Sequence, residues 1–305
     1  MCMNKKKNVI KNNLALLLLA MPGMLFVLLF QYVPMGGIII AFKKYMPRIG
    51  LFKSPWVGLD NFKFFFDSQD AVRTIRNTIL YSVDFLIVDL VVGVGMALLF
   101  YHIINQRMLK VYHTIILIPR FISMVIVSYV VYVFLSPSYG IVNRIIVAMG
   151  RDAVSWYSNP NYWPFIINIT YIWKVAGSGC LYYYAALVGV DGALFEAASI
   201  DGANTWQKCW HIAIPSLIPI MTMMTILGIG GLFSGDMGLF YHVPRDQGIL
   251  YPATDIINTY TYRALLGGSL EKSAAVNLFQ SVVGLILVLV ANGVTRKVSP
   301  ENSMF

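Results

Sequence analysis

The chain has 305 residues, of which 58% are hydrophobic and only 12% charged, against about 25% charged in soluble domains. A soluble globular fold is thereby excluded, and apolar runs recur that match the roughly 20 residues needed to cross a bilayer. The net charge of +9 comes from Lys and Arg scattered through short loops. No basic patch interleaved with aromatics accompanies it, so no nucleic-acid partner is expected.

Backbone polar groups in lipid must be satisfied within their own segment, so the apolar runs are predicted as helices. The expected fold is an all-α polytopic membrane protein with about six transmembrane helices. Residues 1–13, with Lys5, Lys6, Lys7 and Lys11, imitate a signal peptide. The charge-free stretch Leu14–Phe42 far exceeds a signal core of about 7–15 residues and is read as an uncleaved first span, Leu14–Ala41. The later spans are predicted at Thr78–Phe100, Thr114–Leu135, Trp163–Val190, Ser216–Ser234 and Ser273–Val294. Residues 14–294 thus form one membrane domain, with a polar loop at 191–215 and a tail at 295–305. An even number of spans puts both termini on one side. The outer loops hold more Lys and Arg than the inner pieces, but the basic clusters Lys5–Lys7 and Arg296–Lys297 favour the cytoplasm for that side.

The other connecting segments are aromatic. Residues 55–66 and the loop Gly235–Lys272, with Tyr241, Arg245, Tyr251, Asp255, Tyr260, Tyr262 and Arg263, read equally as interfacial anchors or as a docking surface for an external partner. Cys2, Cys180 and Cys209 lack metal-ligand spacing, and no disulfide or metal site is expected. His102, His113, His211 and His242 have no carboxylate or cysteine companions at motif spacing, so no catalytic residue is expected either.

Ionisable residues inside spans are costly and face a cavity or a partner. Arg120 and Asp84 lie near span ends, whereas Asp89 and Lys174 fall near mid-span. The latter two read as an ion pair, as separate interhelical bonds, or as the lining of a hydrophilic route. In the fourth span Asn168, Tyr171, Lys174, Ser178 and Tyr182 share one face at helical spacing. In the sixth, Asn277, Gln280, Ser281 and Gly284 form a second small-polar stripe. Both stripes fit a carbohydrate path or a plain helix–helix interface.

The densest pattern lies in the polar loop: Glu196-Ala197-Ala198, then Asp201-Gly202-Ala203, then Ile212 and Pro215. This resembles the EAA loop of ABC-importer permeases, with Ile214 in place of the family's Leu. Gln31–Phe42, Trp56–Phe62 and Asp255–Tyr260 are similar to segments of sugar-importer permeases, in particular the polysaccharide and complex-oligosaccharide group of Gram-positive bacteria. The loop can form two short helices broken near Gly202, a residue that permits a sharp turn. Glu196 is expected close to the first helix's positive N-terminus, and Pro215 and Pro219 are expected to stop the second helix and open the fifth span.

The resemblance implies a transport subunit rather than an enzyme. Its partners would be a second homologous permease, two ATPase subunits, an extracytoplasmic solute-binding protein and the surrounding membrane lipid. The cargo would be a carbohydrate, an oligosaccharide. Glu196, Ala197, Ala198, Asp201, Gly202, Ala203, Ile212 and Pro215 would couple to the ATPases. Asp89, Asn168, Tyr171, Lys174, Ser178, Tyr182, Asn277 and Gln280 would line the substrate route. No phosphate-binding G-x-x-x-x-G-K-[ST] loop occurs, so ATP and Mg are expected on the partner ATPases and no cofactor on this chain. The alternatives are an ion-gradient-driven secondary transporter using Asp84 and Asp89, or an ABC importer for a non-sugar solute.

Overall fold

A computed structural model describes residues 14–298. The expected cytoplasmic N-terminus, residues 1–13, and the end of the expected C-terminal tail, residues 299–305, lie outside the described residues. The chain divides into two compact units, one of residues up to Phe65 with Ala264–Leu278, the other of Phe66–Arg263 with Phe279 onward.

The first unit begins with a helical rod: α1 (Leu14–Val27) runs on through a π turn at Leu28–Tyr32 and a 3-10 stretch at Gly36–Phe42. Its side chains are exposed over most of its length. The rod ends where Lys43 pairs with Trp56 in an isolated antiparallel bridge, and Phe42 stacks on Trp56 with ring centroids 5.7 Å apart. Asn61 opens the turn-rich segment into α2 (Asp60–Phe66) and donates its amide to the carbonyls of Ala41 and Lys43 at 2.9 and 3.0 Å. The two sequence segments Gln31–Phe42 and Trp56–Phe62 are therefore one structure, joined by a buried amide that satisfies the carbonyls at the rod's end.

The second unit is built on α3 (Gln69–Tyr101), α4 (Gln106–Phe121), α5 (Met124–Leu135), α6 (Ile141–Ala148) and α7 (Trp163–Val188). Ser68 caps α3 by accepting from Ala71 N, and Asn105 caps α4 by accepting from Arg107 N and Met108 N, which fixes both helix starts. Two apolar clusters hold the unit together. One contains Tyr81, Phe85, Val127, Trp163, Ile166 and Ile167; the other contains Val94, Ala97, Phe100, Leu109, Cys180, Tyr183 and Leu187. Residue numbers rise together on α3 and α7 from the first cluster to the second, so these two helices run parallel.

The third predicted span, Thr114–Leu135, needs correction. It is two helices bent by 97°, with the break at Ile122 and Ser123 just after Pro119. The pair nevertheless starts at Leu109 in the second cluster and reaches Val127 in the first, so it returns the chain to the end where α7 begins.

After α7 come α8 (Gly192–Ile200), α9 (Thr205–Lys208), α10 (Ile214–Gly230), α11 (Met237–His242), α12 (Tyr251–Thr254), α13 (Ile257–Leu266) and α14 (Leu270–Val298). Among the described residues four helices can cross a membrane by length and composition, Leu16–Phe42, Gln69–Tyr101, Thr205–Gly230 and Leu270–Lys297, or five with the bent pair counted as one. The one predicted span left out, the fourth, is α7, which has 26 residues, about 39 Å of helix. Its Asn, Lys, Ser and Tyr residues lower its hydropathy, and its buried stripe packs inside the unit. Helix α3 begins nine residues before the predicted Thr78, because Ser68 caps it there.

The loop between α10 and α14 folds over α3. Asp255 is fully buried and held by Arg73 Nη2 at 2.8 Å and Arg263 Nη2 at 2.5 Å. Arg263 also reaches Asp246 at 3.1 Å and lies 4.1 Å over the Tyr251 ring. Burial alone would lower the Arg263 pKa, but the hydrogen bond and charge of Asp255 outweigh it and hold the guanidinium above its ordinary value. Asp255 is therefore an internal clamp and not part of any docking surface. Removing one partner of such a pair leaves uncompensated charge, so Asp255→Asn is expected to cost about 3 kcal/mol. The check is the unfolding midpoint of the purified protein in detergent.

Candidate functional site

Helix α8 leaves the end of α7 with Asp191 as its cap, the carboxylate accepting from Ala193 N at 3.0 Å. The helix starts at Gly192, so Glu196 lies one turn in from the N-terminus, and the cap position at the positive end itself is held by Asp191. Glu196 and Ala197 are exposed, and Glu196 makes no hydrogen bond or ion pair among the described residues.

The helix closes in a way that explains the motif's spacing. Ala203 N donates to Ala198 O at 2.9 Å and Gly202 N donates to Ser199 O at 3.2 Å, with Gly202 at φ +77°. These two bonds satisfy the carbonyls left over at a helix C-terminus and require a left-handed residue at the Gly202 position. Asn204 then caps α9 reciprocally with Gln207: Gln207 N donates to Asn204 Oδ1 at 2.9 Å, and Asn204 N donates to Gln207 Oε1 at 2.8 Å. Lys208 Nζ bridges back to Ser199 Oγ at 2.6 Å. The result is a rigid elbow around a cavity of about 300 Å³, lined by Ala198, Asp201, Gly202, Ala203, Lys208 and Ile212 among others.

The elbow is tied to the helices behind it. Phe195 lies 5.3 Å from the Tyr101 ring at the end of α3, at the edge of the cluster that holds Leu187, Ala213 and Leu217. Outside, Trp206 and Trp210 meet edge-on at 5.7 Å and stay exposed, Trp206 at 70%. The sequence reading missed Phe195 and Tyr101, since neither has a partner at a readable spacing.

Pro215 and Pro219 do not stop the second helix. The chain passes through a π turn at Cys209–Ala213 and continues without a break to Gly230. A proline removes one ladder donor and crowds the carbonyl four residues earlier; a local π turn before Pro215 is a way to absorb that in a continuous helix. Pro215 is exposed and Ile212 half-buried.

The polar residues between the helices divide into three groups. Lys174 is buried, and its Nζ donates to the carbonyls of Pro119, at 3.3 Å, and Ile122. It thus satisfies the open C-terminal end of α4 at the bend, where a cation is favoured. Asp89 does not pair with it; the Asp89 carboxylate accepts from the Tyr171 hydroxyl at 2.7 Å, and the Tyr171 ring stacks on Phe85 at 3.7 Å. Gln280 is buried too, donating to Phe233 O and to Asn258 Oδ1, the latter at 2.8 Å.

Asn168 donates to Pro164 O at 3.0 Å, and Ser178 donates to Val175 O at 2.9 Å. Tyr182 and Asn277 are exposed. The shared face predicted on α7 is therefore split: its Lys174 edge is packed inside the unit and its Tyr182 edge is open. With Lys174 bonded to backbone at a bend, Lys174→Met is expected to lower stability by about 1–3 kcal/mol. Thermal unfolding in detergent, read beside uptake per folded molecule, checks this, and the second quantity should stay near wild type.

The chain matches the family described as binding-protein-dependent transport system inner membrane component over residues 73–300. It is 35% identical to the polygalacturonan/rhamnogalacturonan transport system permease protein YteP of Bacillus subtilis (strain 168), over 94% of this chain and 89% of that protein. The crystal structure of a bacterial ABC transporter involved in the import of the acidic polysaccharide alginate is similar, with a TM-score of 0.87, 31% identity, and 97% of this chain and 99% of that one covered. A bacterial alginate ABC transporter in complex with an alginate pentasaccharide-bound periplasmic protein is also similar, with a TM-score of 0.86, 31% identity, and 96% and 97% covered. The matched segment includes the bent pair, the elbow and all the helices that tie them together, and the chain belongs to the family of multi-pass inner membrane components of binding-protein-dependent transport systems.

Proposed function

We propose that the chain is one of two permease subunits of an ABC importer that carries an oligosaccharide across the cytoplasmic membrane. The observation that carries this reading is the elbow at residues 191–215: an exposed, internally closed helix pair joined through Phe195 to the end of α3. Such a part transmits the movement of a docked partner to the helices as a rigid body. In this reading the elbow and both termini face the cytoplasm, Glu196, Asp201 and Gly202 meet an ATPase subunit, and ATP and Mg are bound by two such ATPases and not by this chain. A solute-binding protein delivers cargo at the opposite end. Transport of polygalacturonan/rhamnogalacturonan by one relative and of alginate by another supports a carbohydrate cargo. Asp89, Tyr171, Ser178 and Tyr182 remain the residues proposed to border the route, whereas the bonds of Lys174 and Gln280 support a structural role for those two.

The test is uptake into proteoliposomes holding the chain with its co-purified partners and binding protein, using galacturonan and alginate trisaccharides. Entry that requires ATP and the binding protein, and resists ionophores, is the expected result. Entry that survives ATP removal and collapses with an ion gradient would overturn the ATPase reading in favour of a secondary transporter. ATP-driven entry of a different solute alone would overturn the carbohydrate.

A further inference from the structure

At the end of the second unit away from the elbow, a cavity of about 650 Å³ opens between the start of α3, the segment leading into α7, and α12. That volume lies within the roughly 300–1,000 Å³ of small-molecule sites. The cavity's frame is fixed. Asn77 donates to Pro252 O at 3.2 Å and to Asp255 O at 2.9 Å, and the Tyr81 hydroxyl donates to Ala253 O at 2.9 Å. Pro160, Pro164 and Pro252 stiffen the remaining walls.

The polar groups lining this frame have unused capacity. Asn168 lines the cavity, and its oxygen is buried without any hydrogen-bond partner. The bond from its amide nitrogen to Pro164 O fixes which end is which. Asp84 lines the cavity and makes no hydrogen bond or ion pair among the described residues. Arg76 makes only long bonds, at 3.2 Å to Asn77 Oδ1 and 3.4 Å to Pro252 O, and Asn161 contributes an exposed amide.

The complement of these groups is a ligand that both donates and accepts. A free anion is disfavoured by the Asp84 carboxylate and the Asn168 oxygen, and an amine or metal cation by the Arg76 guanidinium. Hydroxyl groups serve both roles at once, each with one donor and two acceptor positions. We propose that this cavity is a carbohydrate subsite in which vicinal hydroxyls of one sugar residue donate to Asp84 and to Asn168 Oδ1 while their oxygens accept from Arg76 and Asn161. The inference rests on the import reading above and deepens it. In the proposed orientation the cavity lies at the extracytoplasmic end, where cargo leaves its binding protein, and the subsite receives it before it enters the membrane.

The test uses the assembled transporter without binding protein, carrying Cys2→Ser to remove the background thiol and Leu80→Cys as a reporter, because Leu80 lines the cavity, is exposed and takes no part in the proposed bonds; Cys180 and Cys209 are buried. The rate at which a membrane-impermeant maleimide modifies the reporter is measured with the trisaccharide that enters in the uptake assay, and with sorbitol as control. The trisaccharide, but not sorbitol, is expected to slow modification. Asp84→Asn and Asn168→Leu should each raise the half-protecting concentration about tenfold, the worth of one hydrogen bond to a charged or buried partner. A reporter that does not react, a rate unchanged by the sugar, or protection that survives both substitutions would each overturn the subsite. Absence of any carbohydrate uptake in the wild type is a separate result, and it overturns the import reading itself.

Discussion

Gly177→Ala is expected to lower stability by more than about 4 kcal/mol. A Cβ at Gly177 would lie 2.2 Å from Ile116 O and 2.6 Å from Ile116 C. Both are backbone atoms of α4, so no side chain can turn aside to relieve the overlap; α4 and α7 must separate. Separation would also pull Lys174 from the Pro119 and Ile122 carbonyls that it holds one turn away, exposing the bend between α4 and α5. Gly179→Ala is the control on the same helix, because its Cβ would meet Gly93 Cα at 3.7 Å, an ordinary contact. Both variants gain the same helix propensity. Monodisperse protein and a near-native unfolding midpoint for Gly179→Ala, with aggregation or a collapsed midpoint for Gly177→Ala, is the expected pair of results. Equal behaviour would show that α4 and α7 do not approach this closely.

Gly202→Asp is expected to abolish transport while sparing membrane insertion. Space is not the obstacle, since nothing lies within 4 Å of a Cβ at Gly202. The obstacle is φ at +77°, which costs an L-residue about 1–2 kcal/mol, and the new carboxylate would sit beside Asp201 in the proposed ATPase-facing elbow. Reopening the turn would release the Ala203–Ala198 and Gly202–Ser199 bonds, so the elbow would no longer be rigid. A loss of this size corresponds to about tenfold less ATPase recovered on affinity purification. Gly202→Asn, which meets the same left-handed backbone without adding a charge, should retain more ATPase than the aspartate variant, and Glu196→Ala should weaken recovery without loosening the turn. Full recovery with Gly202→Asp would remove the elbow from the coupling path.

Side-chain partners are where reading the sequence ran short. Asp89 and Lys174 stand at comparable depths in their predicted spans and carry opposite charge, so a one-dimensional pattern leaves a mutual pair and separate interhelical bonds both open. Which groups meet depends on where α4 ends: its bend presents two open carbonyls to Lys174, and Asp89 is left to Tyr171. Likewise Asp255 stands among tyrosines and arginines in a loop that reads as a surface, yet Arg73, 182 residues away in sequence, closes over it. No spacing rule connects such residues.

The sequence by itself determined that the chain is helical and apolar, roughly where the long helices lie, and that residues 192–211 can form a broken helix pair turning near Gly202. Those features follow from local physics: run length, the backbone's need for hydrogen bonds in lipid, and the one residue type at ease in a left-handed turn. Only the tertiary structure decided that the third span bends by 97°, that the helix of Pro215 continues through a π turn, that Lys174 and Gln280 are bonded inside the fold, and that Asp84, Asn168 and Arg76 share one cavity. Each of these depends on which backbone carbonyl or distant side chain lies within about 3 Å of a polar group, and that distance is set by packing between helices rather than by order along the chain.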